Sequence, residues 1–146
     1  ILIVFGSYAW ARSETRNLTV RTALFGALLA TLLDLAIEPV AAHVVHYWEW
    51  SPPGPLGYYG VPLANFVAWF LVTFVLLLLA GRYLKKRIAS ERSRTISLAT
   101  FAPRFLFITS LFMFGLVDLT HGYYIGTFMT LLAGCLLFAF TAKMAK

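Results

Sequence analysis

Asp34 and Glu38 stand four residues apart inside a long apolar stretch, Leu18–Val45, and Pro39 follows directly. A spacing of four places both carboxyl groups on one face of a helix. Carboxylates at membrane depth are expensive and face a protein interior or a cavity rather than lipid. A buried pair of this kind can divide the work of acid–base chemistry, one member held as the acid while its neighbour serves as base. Pro39 adds to the case, because inside a helix it deprives a carbonyl one turn back of its partner and bends the axis. The competing role for the pair is structural, the satisfaction of backbone groups or neighbouring helices.

Other polar and aromatic groups gather at the same level. Asn65 falls about one turn into the next apolar segment, and Trp69 lies one turn further on the same face. Between the two segments runs Tyr47-Trp48-Glu49-Trp50-Ser51-Pro52-Pro53-Gly54-Pro55-Leu56-Gly57-Tyr58-Tyr59-Gly60, whose prolines and glycines exclude a helix. Its aromatics suit either the membrane–water boundary or the lining of a site. Pro62 is expected in the first turn of the following helix, where its missing N–H costs nothing. His43, His46, Asp118 and His121 fall near the same boundary. They show no tight ligand spacing, so satisfaction by water or backbone is expected of the histidines and no metal is assigned. Cys135, the single cysteine, permits no disulfide within the chain and is expected to act as a small buried hydrophobe.

The elements that must hold these residues are membrane helices. Of 146 residues, 60% are hydrophobic and 12% charged, and the mean hydropathy is +0.79. A soluble domain carries charge on about a quarter of its residues. Four apolar segments, Leu18–Val45, Val61–Leu84, Phe101–Val117 and Tyr123–Ala142, approach or exceed the spanning length of about 17 to 25 residues. Ile1–Ala11 covers only about 16 Å of helix rise and is expected to be part of a helix that begins earlier. The fold class that follows is an all-α, polytopic transmembrane bundle in one domain (1–146), with four full spanning helices and a partial N-terminal one.

Orientation follows from charge. Arg12, Arg16 and Arg21, then the run Arg82–Arg104, then Lys143 and Lys146 all fall on one side when the segments are threaded alternately. The positive-inside rule makes that side cytoplasmic, in an inner membrane of bacterial type. His46–Gly60 and Asp118–Gly122 contain no Lys or Arg. Asp34 then lies about 24 Å, and Glu38 about 30 Å, along the helix from Leu18, in the outer half of the bilayer. The net charge of +6 reflects this topology. It provides no basic face with stacking aromatics, so no nucleic-acid partner is expected. An ion pathway is disfavoured because the cytoplasmic halves of the helices are almost purely apolar.

Asp34-Leu35-Ala36-Ile37-Glu38-Pro39, Trp48-Glu49-Trp50, Tyr58-Tyr59-Gly60-Val61-Pro62-Leu63-Ala64-Asn65-Phe66 and Ala68-Trp69 together resemble the CruF-type carotenoid hydratases. The resemblance runs over roughly residues 33–70 and corresponds to the C-terminal half of that family. Glu38 replaces the family's usual Asp before proline, and Ala68 the Gly before tryptophan. The resemblance implies a lyase that adds water to the terminal double bond of an acyclic carotenoid, with no cofactor. Asp34 and Glu38 would be catalytic, and Trp48, Trp50, Tyr59, Asn65 and Trp69 would bind substrate. Partners would be the bilayer and a polyene. The alternative is a catalytically idle relative acting as a structural or pigment-binding subunit of a larger, photosynthetic membrane complex.

Overall fold

The computed structural model describes residues 6, 20–51, 57–88 and 96–144. The expected N-terminal half-helix apart from Gly6, the first basic connector and Pro52–Leu56 lie outside the described residues. Helix α1 runs Val20–Pro39 and passes into a π-helical turn at Val40–Val44. A two-residue hairpin follows, β1 (Gly57–Tyr58) and β2 (Val61–Pro62). Three helices complete the described chain: α2 (Leu63–Ile88), α3 (Ile96–Thr120) and α4 (Tyr124–Met144).

Among the described residues, three helices are long and apolar enough to cross a membrane: Val20–Val44, Leu63–Arg82 and Ala102–Thr120. In α4 the apolar stretch Tyr124–Ala139 is shorter. Leu71 and Val75 of α2, Phe112 and Met113 of α3, and Phe128 and Leu131 of α4 are all exposed. A soluble monomer rarely leaves apolar surface of this extent open, whereas lipid tails cover it without cost. The chain is an integral membrane protein, built as an all-α bundle.

Helix α1 is its centre. In its most apolar window 67% of residues are buried, against 17% in each of α2 and α3. The helix presents Ala23, Gly26, Ala27, Ala30 and Ala36 to its neighbours. Small side chains of this kind let helix backbones approach closely when dispersion rather than water drives association. Leu29, Leu32 and Leu33 pack with Phe107, Leu111, Ala133 and Leu137 to form the core. The carboxylates therefore ride on the most buried of these three described spans.

Pro39 closes α1, and a π-helical turn follows it. In that turn the Val45 N–H donates to Val40 O at 2.9 Å, and just beyond it the Tyr47 N–H donates to Ala41 O at 2.8 Å. His46 closes this end at φ 51°, a left-handed conformation that histidine adopts more readily than most residues. Pro62 does not enter the next helix. It pairs with Gly57 in the hairpin, Tyr58 pairs with Val61, and Tyr59 and Gly60 form the turn at φ 49° and 81°. Positive φ at both turn positions is the geometry that matches strand twist in a two-residue hairpin. The α3–α4 reversal uses a glycine cap: Gly122 has φ 80°, and the Tyr123 N–H donates to Asp118 O at 2.8 Å.

Cys135 departs from expectation, for it is exposed on α4. In a membrane an apolar residue need not turn inward, and so composition does not locate it.

Candidate functional site

The end of α1, the chain after it and the start of α2 converge on two carboxyl groups. Asp34 is 4% and Glu38 2% exposed. The hairpin sets the first turn of α2 against the last turns of α1, which brings in Asn65. Its Nδ2 donates to Asp34 Oδ2 at 3.2 Å and to Glu38 Oε1 at 3.0 Å. One amide thus bridges both acids. Beyond the His46 reversal, Trp48 and Trp50 are two residues apart, the spacing that sends side chains of an extended segment to the same side. Both indole Nε1–H groups donate to Glu38 Oε2, each at 3.2 Å, while the intervening Glu49 is exposed.

The two acids are not equivalent. Glu38 accepts three hydrogen bonds from neutral donors and Asp34 accepts one from Asn65. An ionised carboxylate offers only acceptor sites, so a cluster of donors matches that form, whereas a protonated carboxyl keeps one O–H to give. The donors are amide and indole groups, and no described Lys or Arg contributes to them. The arrangement can hold one negative charge and one transferable proton side by side.

Five of the residues singled out from the sequence, Asp34, Glu38, Asn65, Trp48 and Trp50, are brought together here. The indoles reach Glu38 through their N–H edges, a contact that sequence spacing across an irregular segment does not reveal. Trp69, one turn along α2 from Asn65, is half-buried. Tyr59 is placed differently. Its hydroxyl accepts the Ile125 N–H at 3.2 Å and its ring meets Tyr123 edge-on at 5.2 Å, so it braces the hairpin against the start of α4.

Two of the histidines, His43 and His121, lie against backbone carbonyls. His43 Nε2 is 2.7 Å from Tyr59 O and its ring stacks on Tyr123 at 6.0 Å. His121 Nδ1 lies 2.9 Å from Val117 O. Among the described residues no three His, Cys, Asp or Glu side chains are grouped to hold a metal ion.

Two further polar groups sit deeper than the sequence suggests. Asp118 is fully buried rather than part of a connector, because α3 continues past it to Thr120. Tyr58, whose ring meets Phe66 edge-on at 5.5 Å, has its phenol pushed up from the ordinary range by burial, by the Asp118 carboxylate and by Tyr59. A groove of about 550 Å³ between α3 and α4, lined by residues such as Phe112, Leu116, Leu131 and Phe138, has no ionisable side chain in its wall. The groove therefore offers neither an acid nor a base.

No curated protein and no solved structure matches the chain. A model of one family does, that of carotenoid biosynthesis proteins, and it spans residues 1–137. That match takes in α1, the hairpin, α2, α3 and most of α4, and with them every residue of the carboxylate network: the chain belongs to the carotenoid biosynthesis protein family.

Proposed function

We propose that the protein is a carotenoid hydratase, adding water to the terminal trisubstituted double bond of an acyclic carotenoid. The observation that carries this reading is the Asn65-bridged pair of buried acids, within a family of carotenoid biosynthesis. Hydration of an isolated alkene needs an acid for one carbon and a base for the attacking water. Asp34, with one donor, is the acid. Its proton goes to the less substituted alkene carbon, and the π electrons form that new C–H bond. The positive charge develops on the tertiary carbon. Water attacks there, and Glu38 takes the proton it releases as the C–O bond forms. Return of that proton from Glu38 to Asp34 resets the pair, so the net reaction consumes one water and no oxidant.

Asn65 holds both acids at fixed separation, and Trp48 and Trp50 orient Glu38. The ring faces of these tryptophans and of Trp69 are suited to shield the cation, an effect of about 2 kcal/mol when desolvated. Tyr59 supports the loop rather than the substrate. Lipid delivers the polyene, and the basic connectors face the cytoplasm by the positive-inside rule.

The test is conversion of an acyclic carotenoid to its tertiary alcohol by cells expressing the protein, with Asp34→Asn and Glu38→Gln beside the wild type. Both variants should accumulate unreacted polyene. Full product from either removes that residue from the mechanism. Absence of product from folded wild type would favour an idle, pigment-binding relative.

A further inference from the structure

Asp118 presents a second polar problem inside the bundle. Its side chain is 0% exposed, and among the described residues neither Oδ1 nor Oδ2 has a hydrogen-bond partner. The Tyr58 hydroxyl is likewise buried without one among those residues. Buried polar groups left unmatched are rare, and each calls for a reason such as a bound water. The two groups come from opposite parts of the fold, the hairpin and the end of α3. Both face the start of α4: the hydroxyl of Tyr59, next to Tyr58, accepts the Ile125 N–H, and Asp118 lies against the adjoining Gly126. They make no direct hydrogen bond, which leaves both groups for one bridging molecule.

The surroundings favour a small, hydroxylic occupant. On the α4 side Asp118 lies against Gly126, where an added Cβ would overlap Oδ2 and stand 2.7 Å from Cγ. Glycine there gives the carboxyl its place in the first turn of α4, whose N-terminal end favours negative charge. Tyr58 is enclosed by Tyr59 at 4.7 Å and Phe66 at 5.5 Å, both edge-on. In either protonation state the carboxyl keeps acceptor capacity, and the phenol both donates and accepts. Water serves two to four such partners in a buried site and is large enough to span them.

We propose that Asp118 and Tyr58 form a water-binding site that joins the hairpin to the α3–α4 end of the bundle. Asp118 is thus a positioning residue for the hairpin that leads into α2 and Asn65, and its role does not depend on the hydratase reading. The test is a double-mutant cycle of Asp118→Asn and Tyr58→Phe on the full chain in lipid, read by chemical unfolding. Asparagine keeps the size and shape of the side chain but replaces one acceptor oxygen by an NH2 donor. Each single variant should lower stability, and the double variant should lose no more than the larger single loss. Additive losses, or a Tyr58→Phe variant as stable as wild type, would overturn the proposal. An experimental structure should place an ordered water within hydrogen-bonding distance of both groups, and a direct Tyr58–Asp118 hydrogen bond in its place would also overturn it.

Discussion

Replacing Asn65 by leucine is the perturbation that bears most directly on the bridged pair. The side chain makes two donations, 3.2 Å to Asp34 and 3.0 Å to Glu38. Hydrogen bonds within membrane bundles average about 0.6 kcal/mol, with a maximum near 1.7. Those to an ionised partner in proteins are worth about 1.5–3 kcal/mol. One bond to a neutral acid and one to a carboxylate then sum to about 2–3.5 kcal/mol. Leucine regains some apolar contact, but it faces two acids and leaves Asp34 without its donor. Unfolding in lipid or detergent, followed by the fluorescence of the four tryptophans, measures the loss. Combining Asn65→Leu with Glu38→Gln should show coupling of about 1 kcal/mol or more, as contacting residues do. A loss below about 0.5 kcal/mol, the level of an ordinary surface change, would refute the bridging role, and so would strict additivity.

Trp48→Phe and Trp50→Phe each remove one donor from the same Glu38 oxygen, so each should slow hydration while the double variant falls short of the product of the two effects. Turnover of the three variants checks this, and multiplicative losses would contradict shared action on Glu38. At Gly115 an added Cβ would overlap Thr130 Oγ1 and stand 3.1 Å from its Cβ. Gly115→Ala should therefore destabilise the α3–α4 pair by about 1–3 kcal/mol, as overpacking does, and Thr130→Ala should relieve it in an unfolding cycle. Tyr58 provides a pH signature. Its phenol ionises above the ordinary value of 10.0 in the folded protein, so the unfolded chain loses that proton first and the stabilisation present below pH 10 is lost as pH rises beyond it. Tyr58→Phe should flatten this alkaline loss in unfolding measurements across that window.

The helices were legible because lipid imposes a length and a composition on anything that crosses it. The Asp34–Glu38 face followed from helical periodicity alone, as did the alignment of Asn65 with Trp69. Three features were hidden for physical reasons. Trp48 and Trp50 act through a segment without regular geometry, so their convergence on Glu38 depends on the π turn and the His46 reversal. Pro62 fits an N-terminal helical turn and a hairpin edge equally well, and Tyr59–Gly60 at positive φ decides for the hairpin. Asp118 was set at a helix boundary because it is the first charge after an apolar run. The helix instead carries it inward against Gly126, a glycine eight residues later that marks the close approach.

Hydration itself is tested most directly by supplying the acyclic carotenoid in water enriched in heavy oxygen and following the label by mass spectrometry. The wild-type product should be a tertiary alcohol carrying oxygen from water, with neither Asp34→Asn nor Glu38→Gln forming it. Oxygen drawn from dioxygen, or labelled alcohol made equally well by both variants, would contradict acid–base hydration at this pair.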